Sequence, residues 1–266
     1  MSIHPSAIVH PRAEIDPTVE VGPWCVIDEH VRVGPGCRLF HNVYLTGWTE
    51  IGEGCVLHPG VVVGHEPQDV KYKGERSFCR VGRGAVIREY VTIHRGTVPE
   101  SATTVGENSF LLEGCHIAHN CTVGDNVTLI NKVLLAGYVE VGDRATLGGS
   151  AGIHQFVRIG ELSMVAGVAR VTMDIVPFAL TDADGQIVGL NRVGLRRAGL
   201  PREDVLDVRE AYRVLFFAGL PFREAIQQVN GTVNTPAGRR LAQFLANSRR
   251  GFAAGSRKRR RGDDEE

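Results

Sequence analysis

The sequence predicts a mainly β protein, a three-sided prism of short parallel strands followed by a small α-helical domain. Three observations lead to this prediction: an aliphatic residue recurs every six positions, glycine often follows it, and the spacing becomes helical near the C-terminus. A period of six fits neither an α-helix nor an alternating strand. It fits short strands joined by tight turns, with each group of six residues forming one side of a coil.

The period of six extends over most of the first two thirds of the chain. Its aliphatic residues form three runs, from Ile3 to Val63, from Val81 to Ile93 and from Val105 to Val171. We expect these side chains to point into the prism, where neighbouring coils stack about 4.8 Å apart. Since three groups of six make one coil, residues eighteen positions apart should stack on one face.

Breaks in the pattern define the predicted domains. The prism should occupy residues 1–178, with polar insertions at 64–80 and 97–104, and insertions of this kind commonly form the binding face of a solenoid. Apolar residues at helical spacing predict a helical domain over 190–250. The tail, 251–266, contains RKRRR followed by DDEE, a composition typical of disorder.

Charge is unevenly distributed although the formal net charge is zero. Residues 192–250 carry 11 basic and 5 acidic side chains, whereas residues 1–191 carry 14 basic and 21 acidic ones. A basic segment on an acidic body favours an acidic partner or an anionic ligand there. A solvated helical surface would have the same composition.

The six cysteines do not indicate disulfides or a metal ribbon, because no CxxC pair exists. Five of them occupy the small inward position of the repeat and are expected to fill the core: Cys25, Cys37, Cys55, Cys115 and Cys121. Cys79 is expected to lie outside the repeat. The N-terminus lacks a signal-peptide pattern, and no apolar run approaches the length of a membrane span. We therefore expect a soluble cytoplasmic protein with no nucleic-acid partner.

Polar residues cluster where a prism edge needs few of them. The segment around Cys115 to Tyr138 contains His116, His119 and Asn120. His94 precedes this segment, and His154 and Gln155 follow it. The spacing of eighteen predicts that His119, Gly137 and Gln155 line one edge. A histidine there could act as a base near neutral pH, although a single such histidine is more often structural.

Five segments give the chain a specific resemblance: QDVKYKGE at 68–75, IREYVTIHRGT at 87–97, HIAHNCTVG at 116–124, LLAGYVEVG at 134–142 and IHQFVRIG at 153–160. In these segments the chain resembles the acyl-carrier-protein:UDP-N-acetylglucosamine O-acyltransferases of lipid A biosynthesis, which are hexapeptide-repeat acyltransferases. The likeness runs from about residue 3 to about residue 250. It implies a left-handed parallel β-helix, a hand that spacing alone does not give.

The resemblance also implies a reaction, in which the sugar 3-hydroxyl attacks the thioester of a 3-hydroxyacyl group on acyl carrier protein. His119 matches the general base, and the Gly137 N–H matches the donor to the developing oxyanion. The remaining matches are to substrate-binding positions: Asp69, Lys71, His116, His154, Gln155, Gly167, Asn191 and Arg197. Gly167 matches the residue that limits acyl-chain depth. No metal and no cofactor are implied beyond the phosphopantetheine on the carrier protein.

Four residues depart from the family pattern. Asn120 stands where many members place an acidic residue beside the base, and Tyr138 stands where a histidine is frequent. Val193 replaces a glutamate, and Ala198 stands where a second arginine is common. We expect these changes to leave acyl transfer intact, whereas the match to the family's nucleotide contacts is incomplete.

Other interpretations remain open at this point. A zinc γ-carbonic anhydrase-like protein would share the fold and could use His94, His116 and His119 as ligands. An N-acyltransferase relative normally carries an extra domain before the β-helix, for which the repeat beginning at Ile3 leaves no room. A catalytically silent scaffold is the third alternative. The family resemblance and the exposed prism faces together predict a homotrimer with active sites between subunits.

Overall fold

The computed structural model describes residues 2–256, which form a left-handed, three-sided parallel β-helix closed by a helical domain, as predicted. Sheet A contains β1 Ser2–Ile3, β4 Glu20–Val21, β7 Arg38–Leu39, β10 Val56–Leu57, β13 Val86–Ile87, β16 Phe110–Leu111, β19 Thr128–Leu129, β22 Thr146–Leu147, β25 Met164–Val165, β27 Ala179–Thr181 and β28 Ile187–Leu190. Sheet B contains β2 Ile8–Val9, β5 Val26–Ile27, β8 Tyr44–Leu45, β11 Val62–His65, β14 Thr92–His94, β17 His116–Ile117, β20 Leu134–Leu135, β23 Gly152–Ile153 and β26 Arg170–Val171. Sheet C contains β3 Glu14–Ile15, β6 Arg32–Val33, β9 Trp48–Ile51, β12 Phe78–Val81, β15 Ala102–Val105, β18 Thr122–Val123, β21 Glu140–Val141 and β24 Arg158–Ile159.

The period-six residues form the core because each is the inward residue of its strand. Leu39 pairs with Val21 on one side and with Leu57 on the other, and all three are buried. Two coils are longer than eighteen residues. Ile51 pairs with Val81, thirty positions later, and Ile87 pairs with Leu111, twenty-four positions later. The insertions therefore add twelve and six residues, which are whole multiples of the repeat.

Both insertions are shorter than the sequence predicted, because the flanking strands extend into them. β11 continues to His65 and β12 starts at Phe78, while β15 starts at Ala102. Both insertions leave the prism where sheet B turns into sheet C, an edge that we call edge BC.

Cys79 was expected outside the repeat, and this was wrong. It lies in the core between Thr49 and Thr103 of the adjacent coils and is fully buried. It precedes Val81 by two positions, which is the inward position that the other five cysteines occupy. Burial raises the pKa of the Cys79 thiol to about 12, and all six cysteines are free.

The last coil leads into the helical domain beyond the predicted boundary at residue 178. β27 adds to sheet A in parallel with β25, and β28 returns antiparallel to β27. The helices are α1 Arg192–Arg197, α2 Arg202–Tyr212, a π-helical continuation of α2 at Arg213–Phe217, α3 Phe222–Thr232 and α4 Pro236–Ala246. The residue pattern did not predict α1. No helix in residues 2–256 is long and apolar enough to cross a bilayer.

The expectation of a disordered tail was wrong for its first six residues. Phe252 forms a backbone bridge with Asp174, Gly255 forms one with Ile187, and Ala253 between them is buried. The basic and acidic runs of the tail, 257–266, lie outside the described residues.

The three outer faces of the prism differ in chemistry. Sheet C carries an alternating ladder of Glu14, Arg32, Glu50 and Arg80, with ion pairs between Arg32 and Glu14 at 3.0 Å and between Arg80 and Glu50 at 3.4 Å. Sheet B presents mainly apolar side chains at the matching outward positions. Sheet A carries one ion pair, between Arg38 and Glu20 at 3.4 Å, and uncharged outward residues from Val56 onward. Phe110 on sheet A and Leu134 on sheet B are 38% and 52% exposed. Two of the three faces are therefore suited to contact with another protein surface.

Candidate active site

Edge BC gathers the predicted base and its neighbours in successive coils. His119 follows β17, Gly137 follows β20 and Gln155 follows β23, and these three strands pair in register. The predicted column is therefore present, and both insertions leave the same edge in the preceding coils. His119 is only 9% exposed, so its ring is held by its surroundings.

Gly137 provides the space in which the His119 ring lies. A Cβ atom at Gly137 would be 2.4 Å from Cε1 and 2.6 Å from Nε2 of His119. Any larger residue would displace the ring, since real Cβ atoms do not approach other atoms so closely. The Gly137 N–H has no acceptor among residues 2–256, so it can donate to a ligand beside the ring.

Asn120 contacts the other side of the imidazole. Its Oδ1 lies 3.0 Å from His119 Nδ1, 3.1 Å from the backbone N of Thr97 and 3.0 Å from Thr97 Oγ1. Thr97 belongs to the second insertion, which therefore reaches the base through Asn120. Tyr138 packs its ring edge-on against His119, with centroids 5.4 Å apart, and stacks on Phe156 at 4.9 Å.

Two further histidines lie on sheet B beside the site. His116 is half-buried, and its Nδ1 is 2.7 Å from Thr92 Oγ1. His94 is 6% exposed and packs edge-on against His116 at 4.8 Å. Burial, with the nearby His116 as the next cause, lowers the pKa of His94 to about 4, and burial also lowers the pKa of His116. Both rings are thus held neutral at physiological pH.

The same histidines were the ligands of the alternative zinc site. Within residues 2–256, no group of three or more His, Cys, Asp or Glu side chains is arranged to hold a metal ion. His94 Nδ1 is buried and has no hydrogen-bond partner in that part of the chain.

The first insertion is anchored by a buried arginine that the sequence analysis missed. Arg95 is 7% exposed, and its guanidinium donates to the Tyr72 hydroxyl at 2.8 Å and to the Gly64 carbonyl at 2.9 Å. Asp69 and Lys71 lie on this insertion, where the Asp69 carboxylate accepts the Lys71 N–H at 3.0 Å. Neither residue contacts His119. Arg95 was part of the quoted motif, but nothing in the motif indicated a loop anchor.

His154 is exposed next to Gln155, the third residue of the column. His154 Nδ1 lies 3.1 Å from the Gln155 carbonyl oxygen, which also accepts a hydrogen bond from Arg250 at 3.0 Å. Arg250, also missed from sequence, thus ties the C-terminal segment to edge BC.

A separate basic cavity of about 1930 Å³ lies between sheet A and the first two helices. In the described part of the chain, five arginines line it: Arg144, Arg192, Arg197, Arg209 and Arg213. Glu210 pairs with Arg213, so the cavity keeps an excess of positive charge. Asn191 also lines it, but its side chain caps α1 by accepting the Gly194 N–H at 2.9 Å and donates to the Leu162 carbonyl at 2.8 Å. Val193 and Ala198, two departures from the family pattern, line the same cavity.

Gly167 lies at a different edge of the prism from His119. It follows β25 and precedes β26, where sheet A turns into sheet B, and it stacks over Gly149. A Cβ atom there would lie 3.4 Å from the Gly149 carbonyl oxygen, an ordinary contact. One protomer therefore brings together His119, Gly137, His116 and Gln155, but not Gly167 or the basic cavity.

Comparison with known proteins agrees with this arrangement. The hexapeptide-repeat family of bacterial transferases matches residues 30–65 and 102–137, and domain 2 of UDP-N-acetylglucosamine O-acyltransferase matches residues 174–253. Acyl-[acyl-carrier-protein]–UDP-N-acetylglucosamine O-acyltransferases from Akkermansia muciniphila and Thermodesulfovibrio yellowstonii are 48% and 41% identical, each over 94% of this chain and 98% of the relative. The crystal structure of UDP-N-acetylglucosamine acyltransferase from Francisella novicida superimposes with a TM-score of 0.91 at 31% identity, covering 96% of this chain and 95% of that one. Since the likeness extends over both the prism and the helical domain, this chain belongs to the family of acyl-[acyl-carrier-protein]–UDP-N-acetylglucosamine O-acyltransferases.

Proposed function

We propose that this chain transfers a 3-hydroxyacyl group from acyl carrier protein to the 3-hydroxyl of UDP-N-acetylglucosamine, the first step of lipid A biosynthesis. The observation that carries the proposal is the His119 ring lying directly on Gly137, whose N–H has no other acceptor in residues 2–256. A base and an oxyanion donor thus adjoin the same small space. Relatives that are 41–48% identical bear the name of this activity.

The two groups have complementary tasks in this reaction. His119 Nε2 removes the proton of the sugar hydroxyl while its oxygen attacks the thioester carbonyl. The Gly137 N–H donates to the oxyanion of the tetrahedral intermediate. The protonated imidazole then returns the proton to the departing thiol, and no covalent enzyme intermediate forms. The acyl group arrives on the carrier's phosphopantetheine, and the reaction needs no other cofactor.

The basic cavity suits the anionic parts of both substrates. Its arginines, Arg197 among them, favour the diphosphate of the nucleotide, and Lys71 on the first insertion supplies another cation. We assign Asp69 to binding the sugar of UDP-N-acetylglucosamine. The Asn191 side chain already caps α1, so we assign it the task of holding α1 at the cavity wall as well as any substrate contact. The acidic carrier protein would dock on the positively charged helical domain.

These parts become one site if three protomers pack with parallel axes. Sheet A of one protomer would then face sheet B of the next, with the edge between sheets A and B near the threefold axis. Thr146, Met164 and Leu180 point outward from sheet A and line the basic cavity. That packing sets the basic cavity of one protomer opposite His119 of its neighbour. It also brings Gly167 to the inner end of the cleft, where it limits the acyl chain.

The test combines the purified enzyme with UDP-N-acetylglucosamine and a panel of 3-hydroxyacyl carrier proteins, and identifies products by mass spectrometry. We expect an O-acylated sugar nucleotide and a preferred chain length. His119→Ala should lose about 10²- to 10⁴-fold in kcat, because it removes a positioned base. The exposed His30, on the same edge BC but four coils before His119, provides the control, and His30→Ala should keep normal turnover. An N-acylated product, or normal turnover by His119→Ala, would contradict the proposal.

A further inference from the structure

We propose that Thr97 and Tyr138 are positioning residues that clamp the Asn120 side chain so that its oxygen, and not its nitrogen, faces His119. The clamp fixes His119 in the tautomer that carries its proton on Nδ1, which leaves Nε2 free to accept the substrate proton. The catalytic consequence rests on the proposed function, whereas the tautomer itself does not.

The two ends of the Asn120 amide differ in hydrogen bonding. An asparagine side chain presents an oxygen, which accepts hydrogen bonds, and an NH2 group, which donates them. The backbone N–H of Thr97 can only donate, and it lies 3.1 Å from Asn120 Oδ1. The oxygen must therefore occupy this position. Because the same oxygen is 3.0 Å from His119 Nδ1, that nitrogen must carry the proton.

The hydroxyl groups add a second, directional link. Thr97 Oγ1 donates to Asn120 Oδ1 at 3.0 Å, and this uses its only proton. The Tyr138 hydroxyl, 3.3 Å from Thr97 Oγ1, must then be the donor in that pair. The hydrogen bonds run in one direction, from Tyr138 to Thr97 to Asn120, and bonds aligned in this way strengthen one another.

The clamp is held in place from both sides. Thr97 is only 7% exposed, and the backbone N–H of Asn120 donates to Thr103 Oγ1 at 2.8 Å. Tyr138 has a left-handed backbone, with φ of 60°, and its ring is stacked on Phe156. The second insertion therefore has a structural role, since it places Thr97 beside Asn120, which contacts the base.

A neutral amide needs this clamp, whereas a carboxylate would not. If Asn120 turned over, its NH2 group would face His119 and favour the tautomer with the proton on Nε2, which cannot act as the base. Both oxygens of an aspartate accept hydrogen bonds, so either orientation of its carboxylate presents an acceptor to His119 Nδ1. The importance of the Thr97 hydroxyl should therefore depend on which residue occupies position 120.

The experiment measures the His119 tautomer by NMR of protein labelled with ¹⁵N-histidine, using His119→Gln to assign the signals. At a pH where the ring is neutral, the wild type should show the proton on Nδ1. Thr97→Val keeps the shape and the backbone N–H but removes the hydroxyl, which is one of the two Thr97 donors to Asn120 Oδ1, so it should raise the share of the tautomer with the proton on Nε2. Tyr138→Phe should move the population in the same direction by a smaller amount. The pair Thr97→Val with Asn120→Asp should return to the Nδ1–H form.

Kinetics provide the second measurement. Thr97→Val should lower kcat about five- to tenfold, the effect of one neutral hydrogen bond, with KM for the sugar nucleotide nearly unchanged. Thr97→Ser should restore kcat, and in the Asn120→Asp background the Thr97→Val change should have less than a twofold effect. A wild type with the proton on Nε2, or an unchanged tautomer in Thr97→Val, would overturn the clamp. If the tautomers behave as expected but neither the wild type nor any variant transfers acyl groups, the proposed function fails and the clamp stands.

Discussion

At the scale of single residues, the contact between His119 and Gly137 leaves no room for one methyl group. Gly137→Ala would place its Cβ 2.4 Å from the imidazole, so the ring must move away from the reacting atoms. We expect kcat to fall at least a hundredfold, because a misplaced base loses most of its effect. Gly231→Ala is the matched control, since a Cβ at Gly231 meets no atom within 4 Å. Steady-state assays of both variants check this, and a fully active Gly137→Ala would contradict it.

His94 makes the stability of the protein depend on pH. Its folded-state pKa of about 4 lies below its ordinary value of 6.5, so between these values the unfolded chain binds a proton that the folded chain does not. The contribution of neutral His94 is therefore complete above pH 6.5 and is lost as the pH falls toward 4. Between pH 7 and pH 5 the wild type should lose about 2 kcal/mol more unfolding free energy than His94→Phe. Urea titrations at the two pH values measure this difference, and equal losses would show that burial does not hold His94 neutral.

Sequence spacing could predict the column of His119, Gly137 and Gln155, because the coil length between these residues is constant. It could not predict the partners that reach the site from elsewhere. Thr97 arrives at Asn120 through an insertion, and Arg250 reaches the Gln155 carbonyl from 95 residues away. Neither the length of a loop nor the end of a separate domain follows from a local repeat.

At the scale of elements, the first insertion should be separable from the fold. Deleting residues 66–77 would join His65 to Phe78 and restore a coil of eighteen residues, with Cys79 still in the core. We expect an unchanged β circular dichroism spectrum and lost turnover, because Asp69 and Lys71 are removed. The melting temperature should fall, since the buried Arg95 keeps only the Gly64 carbonyl of its insertion contacts.

A second variant shows whether the lower melting temperature comes from the unpaired Arg95 or from a β-helix that no longer folds without the insertion. Arg95→Met in the deleted protein removes the poorly paired buried charge, so it should recover most of the lost stability. If the protein with both the deletion and Arg95→Met aggregates, the β-helix needs the insertion to fold, and a coil of eighteen residues is not sufficient at this position.

Two elements show where composition is a poor guide. Helix α1 is six residues long and contains Gly194, so its sequence carries little helical signal, and it is fixed by the Asn191 cap. Residues 251–256 looked like the start of a disordered tail. They are ordered because their backbone bridges to Asp174 and Ile187, and backbone pairing of this kind leaves no pattern in the side chains.

At the scale of the whole molecule, the exposed apolar side chains on sheets A and B, such as Phe110 and Leu134, predict where protomers meet. Leu134→Glu would bury a charge in the proposed interface, so we expect monomers and a loss of activity. Thr104→Glu is the control on sheet C, where it would lie beside Arg80 and remain in solvent. Light scattering of both variants tests this prediction. A trimeric Leu134→Glu protein, or a monomeric wild type, would count against the proposed assembly.

The lengths of the two insertions have a consequence for how such a protein can change over generations. Since they add twelve and six residues, the period of six continues through them, and its positions there are occupied by Asp69, Glu75 and Pro99. A whole side of a coil can thus leave the prism without disturbing the alignment of anything that follows. Its residues are then released from the requirement to be aliphatic. Functional residues can therefore be introduced in segments of six residues while the β-helix stays the same. Asp69, which we assign to the sugar, occupies a position where the repeat would otherwise place a core valine or isoleucine.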